Sequence, residues 1–297
     1  MLEINGVRRF SHEAMATVFE IHTMHADERY AAQAAQAAFD LTDHLERELS
    51  RFIPNSDIAR VNQLRAGEST SVSASTMECL VIARHMFELT GGAFDVSIGT
   101  GLPTLVLNAD DFRVVSTSGG VKIDLGGIGK GYAVDLMAEL LEEWGLGHSL
   151  VHGGFSSILA LDPPAGHESW PLTLSDPQHP SNVLARLAVR QTSLGASGVQ
   201  KGDHIVDPRT GKPASGRIAA WVAVPRQDLA APHTSADQVH RVAAAAVSDA
   251  LATACMLLTE DEIAALCAGN PALEAWILPE SADILHFGGS AESRTRT

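Results

Sequence analysis

Between a β-branched run and a helical one, four glycines and a lysine interrupt the chain. VKIDL (121–125) reads as a short strand and leads into Gly126-Gly127-Ile128-Gly129-Lys130-Gly131. A helix is expected from about Tyr132 to Trp144. Glycines permit a turn this tight and a backbone approach this close, so the path from strand to helix has few solutions. The same geometry aims backbone amides at one point and suits a phosphate at a helix start. Two familiar phosphate loops do not fit. A Walker A loop needs Ser or Thr after its Gly-Lys, and Gly131 follows Lys130; a dinucleotide fingerprint needs a final glycine where Tyr132 stands. Two readings remain: an anion cradle, or a turn that packs a helix on a sheet and leaves Lys130 in solvent.

Asp249 lies within AAAAVSDALATACMLL, and a carboxylate in so apolar a helix is costly unless it is paired, hydrogen-bonded or metal-bound. Thr253, four residues on, shares its helical face. Carboxylate and hydroxyl together suit Mg²⁺ or Ca²⁺ rather than zinc. The plainer reading is one polar position facing solvent, with Thr253 bonded back to its own helix. His204, in HIVDPRTG (204–211), has the chemistry of a general acid or base, and Asp95 sits just past a helix stop in LTGGAFDVSIG (89–99). His152-Gly153-Gly154-Phe155 looks like a hydrolase oxyanion loop. That reading needs a Gly-x-Ser-x-Gly nucleophile elbow, and no serine here has glycine on both sides at that spacing.

The 297 residues suffice for two ordinary domains or one large one. Lys and Arg total 21 against 36 Asp and Glu, a net of −15, which argues against nucleic acid as a ligand. Any anion must therefore be held by local devices. Cys79, Cys255 and Cys267 are odd in number and form no zinc-type pair, so they read as buried thiols. The first twenty residues show no apolar export core, and no stretch is long enough to span a membrane; a cytoplasmic location is expected. Helices are expected over 26–50, 75–90 (stopped by Gly91-Gly92) and 240–258. Another starts at a Thr259/Glu262 capping box and ends at Gly269. Strands are expected over 148–161, 183–190 and 218–224, and residues 290–297 read as a frayed tail. Without a regular βαβα alternation, the order favours an α+β fold over a doubly wound sheet.

Taken in order, Ala14-Met15-Ala16-Thr17, LSRFIPNSDIARVN (49–62), TGGAFDVSIG (90–99), KIDLGGIGKGYAVD (122–135), HIVDPRTGKP (204–213) and SDALATACMLL (248–258) resemble the ApbE family of FAD:protein FMN transferases. The resemblance implies a single domain over 1–297, an α+β fold of the T-fold-like type, and a mixed sheet with flanking helices. It also implies a divalent cation, usually Mg²⁺ with Ca²⁺ or Mn²⁺ as alternatives. The implied reaction cleaves FAD at its pyrophosphate and passes FMN to a Thr or Ser hydroxyl of a target flavoprotein, releasing AMP. Some relatives hydrolyse FAD to FMN and AMP, and a catalytically silent flavin-binding protein is the remaining alternative.

By position, the resemblance gives Asp249, Thr253 and the backbone of Gly127 to the metal. It gives Met15, Phe52, Ala93, Phe94, Asp95, Asp124, Lys130 and Val206 to FAD, and casts His204, with Asp249, as catalytic. The chain also departs from the family pattern. Ala16 replaces the glycine of Met-Gly-Thr, and GLPTLVLNADDF replaces a longer tryptophan-containing stretch. His152-Gly153-Gly154-Phe155-Ser156-Ser157 stands where many members have Asn-Ala-Gly-Gly-Asp. The export signal or lipid anchor of many members is not seen.

Overall fold

A computed structural model describes residues 4–199, 205–226, 243–281 and 283–289. The N-terminal strands β1 (Arg8–Ala14) and β2 (Thr17–Thr23) form a hairpin, followed by helices α1 (Glu28–Leu49) and α2 (Asp57–Val61). Strand β3 (Ser69–Ser71), helix α3 (Ala74–Leu89) and strands β4 (Leu105–Asn108) and β5 (Arg113–Ser116) come next, then α4 (Gly129–Glu143). The central strands are β6 (Ser149–Gly153), β7 (Ser157–Ala160), β8 (Trp170–Ser175), β9 (Val183–Val189), β10 (Thr192–Gly198) and β11 (Arg217–Pro225). Helices α5 (Ala244–Cys255) and α6 (Glu260–Gly269) precede β12 (Glu274–Pro279) and β13 (Leu285–Gly288).

The α+β class with flanking helices is borne out. Pairing divides the strands into an eight-stranded sheet (β1-β2-β6-β7-β10-β11-β12-β13), a three-stranded sheet (β3-β5-β4) and the β8–β9 ribbon. The expected mixed sheet resolves into ladders that are antiparallel throughout. Strand alternation decides what covers each face of the large sheet. In β11, Ala220 and Val222 join the helix-side core, whereas Ala219, Trp221 and Ala223 join a second core with Trp170, Leu172 and Leu174 of the β8–β9 ribbon.

Several local expectations change. VKIDL is extended but joins no ladder: Asp124 N–H reaches the Val96 carbonyl instead, and α4 begins at Gly129 rather than Tyr132. The strand expected over 148–161 is the β6–β7 hairpin. The strand expected over 183–190 is β9. Helix α1 starts where the Asp27 side chain accepts from Tyr30 N–H, and it buries Ala31, Ala34, Ala35, Ala38 and Leu45 at helical spacing. The Thr259/Glu262 capping box is present at the start of α6. Residues 240–242 of the expected 240–258 helix and the 290–297 tail lie outside the described residues. Among the described residues, no helix is long and apolar enough to cross a membrane.

The β1–β2 turn carries a measurable strain. Met15 (φ 50°) and Ala16 (φ 56°) both sit in the left-handed region. A two-residue hairpin of the primed type demands this conformation at both positions. Side chains with a Cβ disfavour it and glycine does not. Ala16→Gly is expected to stabilise the protein by about 0.5–1 kcal/mol in urea unfolding; an unchanged or lower midpoint would show that the turn is unstrained.

Candidate active site

The site begins with how α4 meets α5. Helix α5 has Ala243 at its N-cap position, which offers no side-chain acceptor. The buried Asp135 carboxylate of α4 supplies one, taking Ala245 N–H at 2.9 Å and Ala246 N–H at 2.8 Å. It does for α5 what a capping side chain does from within a helix's own sequence. Burial raises the Asp135 carboxyl well above its ordinary value, and the two amides only partly offset that. Gly131 lets the two helices touch: a Cβ there would lie 2.2 Å from the Ala245 carbonyl oxygen.

This contact brings Asp249 of α5 over the first turn of α4. Its side chain is buried and faces neither solvent nor apolar neighbours alone. Oδ2 accepts from Gly131 N–H at 3.2 Å and lies 3.4 Å from Lys130 Nζ; Ser157 on β7 also bonds the carboxylate. Burial raises the Asp249 carboxyl above its ordinary value, with Lys130, Ser157 and Gly131 opposing the shift. The solvent-facing alternatives for Asp249 and Lys130 therefore fall: Lys130 Nζ donates to the Gly126 carbonyl at 3.1 Å and sits beside the carboxylate. Thr253 Oγ1 does bond back to the Asp249 carbonyl, at 3.3 Å. It also lies next to Gly127, where a Cβ would be 3.5 Å from Thr253 Oγ1 and 3.2 Å from the Phe94 ring. Gly127, Asp249 and Thr253 all line one cleft.

Several amides of the glycine run are engaged within the fold. Gly126 N–H donates to Asp124, Ile128 and Gly129 N–H both donate to the Leu125 carbonyl, and Gly131 N–H donates to Asp249. These amides hold the turn, while Gly126, Gly127, Gly129 and Lys130 line the cleft.

Most of the remaining expected residues surround the same cleft of about 1900 Å³, larger than the roughly 300–1,000 Å³ of ordinary small-ligand pockets. Met15, Ala93, Phe94, Asp95, Asp124, Lys130 and Val206 line it. Asp95 is a brace: one oxygen takes Ser97 N–H and Oγ–H, the other takes Gly99 N–H at 2.8 Å. Asp124 holds Arg51 Nε at 3.0 Å, and the Arg51 guanidinium lies 4.5 Å above the Phe52 ring. Phe52 is 79% exposed at the cleft rim, placed like a stacking platform. Val206 bridges to Pro213 across the Asp207–Gly211 turn, where Arg209 ties Asp207 to the Leu257 carbonyl. His204 lies outside the described residues.

Arg51, Asp135 and Ser157 escaped sequence reasoning. An acid six residues into a helix that opens on glycine is a weak signal for Asp135; Arg51 and Ser157 gave none, because their partners are distant in sequence.

The sequence matches the ApbE family over residues 15–104 and 100–277. It is 27% identical to the FAD:protein FMN transferase of Treponema pallidum, over 83% of this chain and 77% of that protein. It is 21% identical to the Vibrio cholerae protein of the same name, over 86% and 83%. The fold matches the flavin transferase ApbE from Vibrio cholerae with a TM-score of 0.78 at 19% identity, covering 96% of this chain and 98% of that one. The ApbE protein from Thermotoga maritima matches equally, at 0.78 and 21% identity, covering 95% and 97%. The chain belongs to the ApbE family.

Proposed function

We propose that this chain is a Mg²⁺-dependent FMN transferase, a single domain over residues 1–297 that uses FAD as donor and a Thr or Ser hydroxyl of a target flavoprotein as acceptor. The observation that carries this reading is the convergence of Gly127, Asp249 and Thr253 beside Lys130 at the wall of a large cleft. Backbone carbonyl, carboxylate and hydroxyl are all hard oxygen donors, so the set fits Mg²⁺. Gly127, Asp249 and Thr253 would hold the cation, which would neutralise charge on the pyrophosphate.

The chain's own residues do the rest. Lys130 adds a second positive charge, which a protein of net −15 needs near a dianionic pyrophosphate. Phe52, Met15 and Phe94 offer apolar surface to the flavin. The acceptor oxygen attacks the phosphorus of the FMN half, the bond to AMP breaks, and the hydroxyl proton passes to His204, the family's histidine before the Asp-Pro turn. Such transfers depend on positioning and charge neutralisation more than on covalent chemistry. The test is incubation with FAD, Mg²⁺ and a candidate acceptor. Release of AMP with an acceptor mass gain equal to FMN is expected. AMP without the gain indicates an FAD pyrophosphatase, and neither product indicates a flavin binder.

A further inference from the structure

On the sheet face opposite the helices, Glu20, His22 and His152 bring three ligand atoms within 4.8 Å of one another. The register produces this cluster. Glu20 of β2 is directly opposite His152 of β6, and His22 follows two residues on, on the same face; Phe19 and Ile21 point into the core with no exposure. Glu20 Oε2 lies 3.0 Å from His152 Nε2 and 3.1 Å from His22 Nε2, and the two imidazoles stack with centroids 5.7 Å apart. Arg9 takes the other carboxylate oxygen, leaving Oε2 to the histidines. All three residues line the cleft.

The tautomer of His152 makes the arrangement informative. Nδ1 is 2.7 Å from the Gly154 carbonyl. A carbonyl can only accept, so Nδ1 carries the proton. In the neutral ring Nε2 then aims a lone pair at a carboxylate oxygen, which also only accepts. Two acceptors at 3.0 Å need a positive charge between them, either a second proton on the imidazole or a bound metal ion. An imidazole anchored to a backbone carbonyl through its far nitrogen is the usual outer support of a metal-bound histidine. Ligand atoms around tetrahedral zinc stand roughly 3.4 Å apart, for bonds of about 2.1 Å, near the two spacings of 3.0 and 3.1 Å from Glu20 to the imidazoles.

We infer that Glu20, His22 and His152 form a second metal site, selective for Zn²⁺-class transition ions, with a coordination position open to the cleft. Two imidazoles and a carboxylate are the donor set of an open zinc site and differ in kind from the all-oxygen set around Asp249. Burial lowers the His22 imidazole below its ordinary value, which favours the neutral ligand form.

Co²⁺ is the probe, because its visible d–d bands report coordination number and need no turnover. Titrating the untagged, metal-stripped full chain is expected to give one Co²⁺ per chain with the intense bands of a four-coordinate site, displaced by Zn²⁺ but not by Mg²⁺. His152→Gln and His22→Gln should each weaken Zn²⁺ binding roughly a hundredfold, with unchanged far-ultraviolet dichroism; Asp249→Asn should leave it intact. Should His152→Gln fail to fold, His22→Gln decides alone. The inference is overturned if no such band forms, which would leave a plain Glu20–imidazolium pair. It is equally overturned if His22→Gln retains the band, or if Asp249→Asn abolishes it.

Discussion

Asp249→Ala is expected to lose Mg²⁺-dependent flavin transfer by at least roughly a hundredfold, exceeding what loss of a merely supporting group costs a metal site, while the chain still folds. Removing a buried charge is gentler than stranding one. Lys130, whose side chain is 22% exposed, can turn to the Gly126 carbonyl and water. The Gly131 amide loses its acceptor, at about 1–3 kcal/mol. Asp249→Asn separates the two effects, since a carboxamide oxygen can still take that N–H but carries no charge for a cation. Both variants should be inactive, and the Asn variant should be the more stable. In the wild type, chelating Mg²⁺ and Lys130→Ala should each weaken FAD binding by about 1–3 kcal/mol. Riboflavin, without phosphates, should respond to neither. Fluorescence titration of both flavins is the measurement; wild-type turnover of Asp249→Ala at limiting Mg²⁺ would remove the cation from that site.

Gly195→Ala is expected to cost about 3 kcal/mol or more of stability, at the upper end for overpacking. A Cβ on Gly195 of β10 would lie 2.1 Å from the Ser248 carbonyl oxygen and 2.6 Å from Asp249 N. These are backbone atoms of a helix buried along nearly its whole length, so they cannot give way cheaply. Where the variant still folds, activity should fall with stability, because the displaced backbone is the one that carries Asp249. Gly147→Ala is the control, since a Cβ there meets nothing within 4 Å. For that variant a shift within about 0.5 kcal/mol is expected. Urea midpoints of the two variants decide the matter. Equal midpoints would mean that β10 and α5 are not in the tight contact described.

What the sequence disclosed follows the range of the interactions. The α6 capping box and the stop after α3 are local hydrogen-bond patterns, legible from three or four neighbouring residues. Asp249 was legible because a carboxylate in an alanine-rich helix is conspicuous whatever lies around it. Its partners were not. Lys130 is 119 residues away, and the sequence left it between an anion cradle and solvent until α4 was placed on α5. VKIDL carried the composition of a strand, but its tertiary position gives it no neighbour to pair with, and pattern cannot report a missing partner. The glycines suggested free amides because composition does not show that those of Gly126, Gly129 and Gly131 fold back upon acceptors of the chain itself. Glu20 and His22 alternate on one strand, a signal open to inspection, but His152 joins them only through the β2–β6 register.

The carboxylate of Asp135, holding the start of α5, also sets an order of events. The bond to Ala245 closes a loop of 110 residues, so α5 has no cap until the strands between have been made and α4 is in place to receive it. Closure over such a distance comes late and slowly, because chain entropy must be overcome first. Gly127 and Lys130 leave the ribosome long before Asp249 and Thr253. During synthesis the chain therefore carries the cationic half of its centre without the acidic half. A growing polypeptide has no finished cleft wall, and the cleft is completed in one step, when the last third docks.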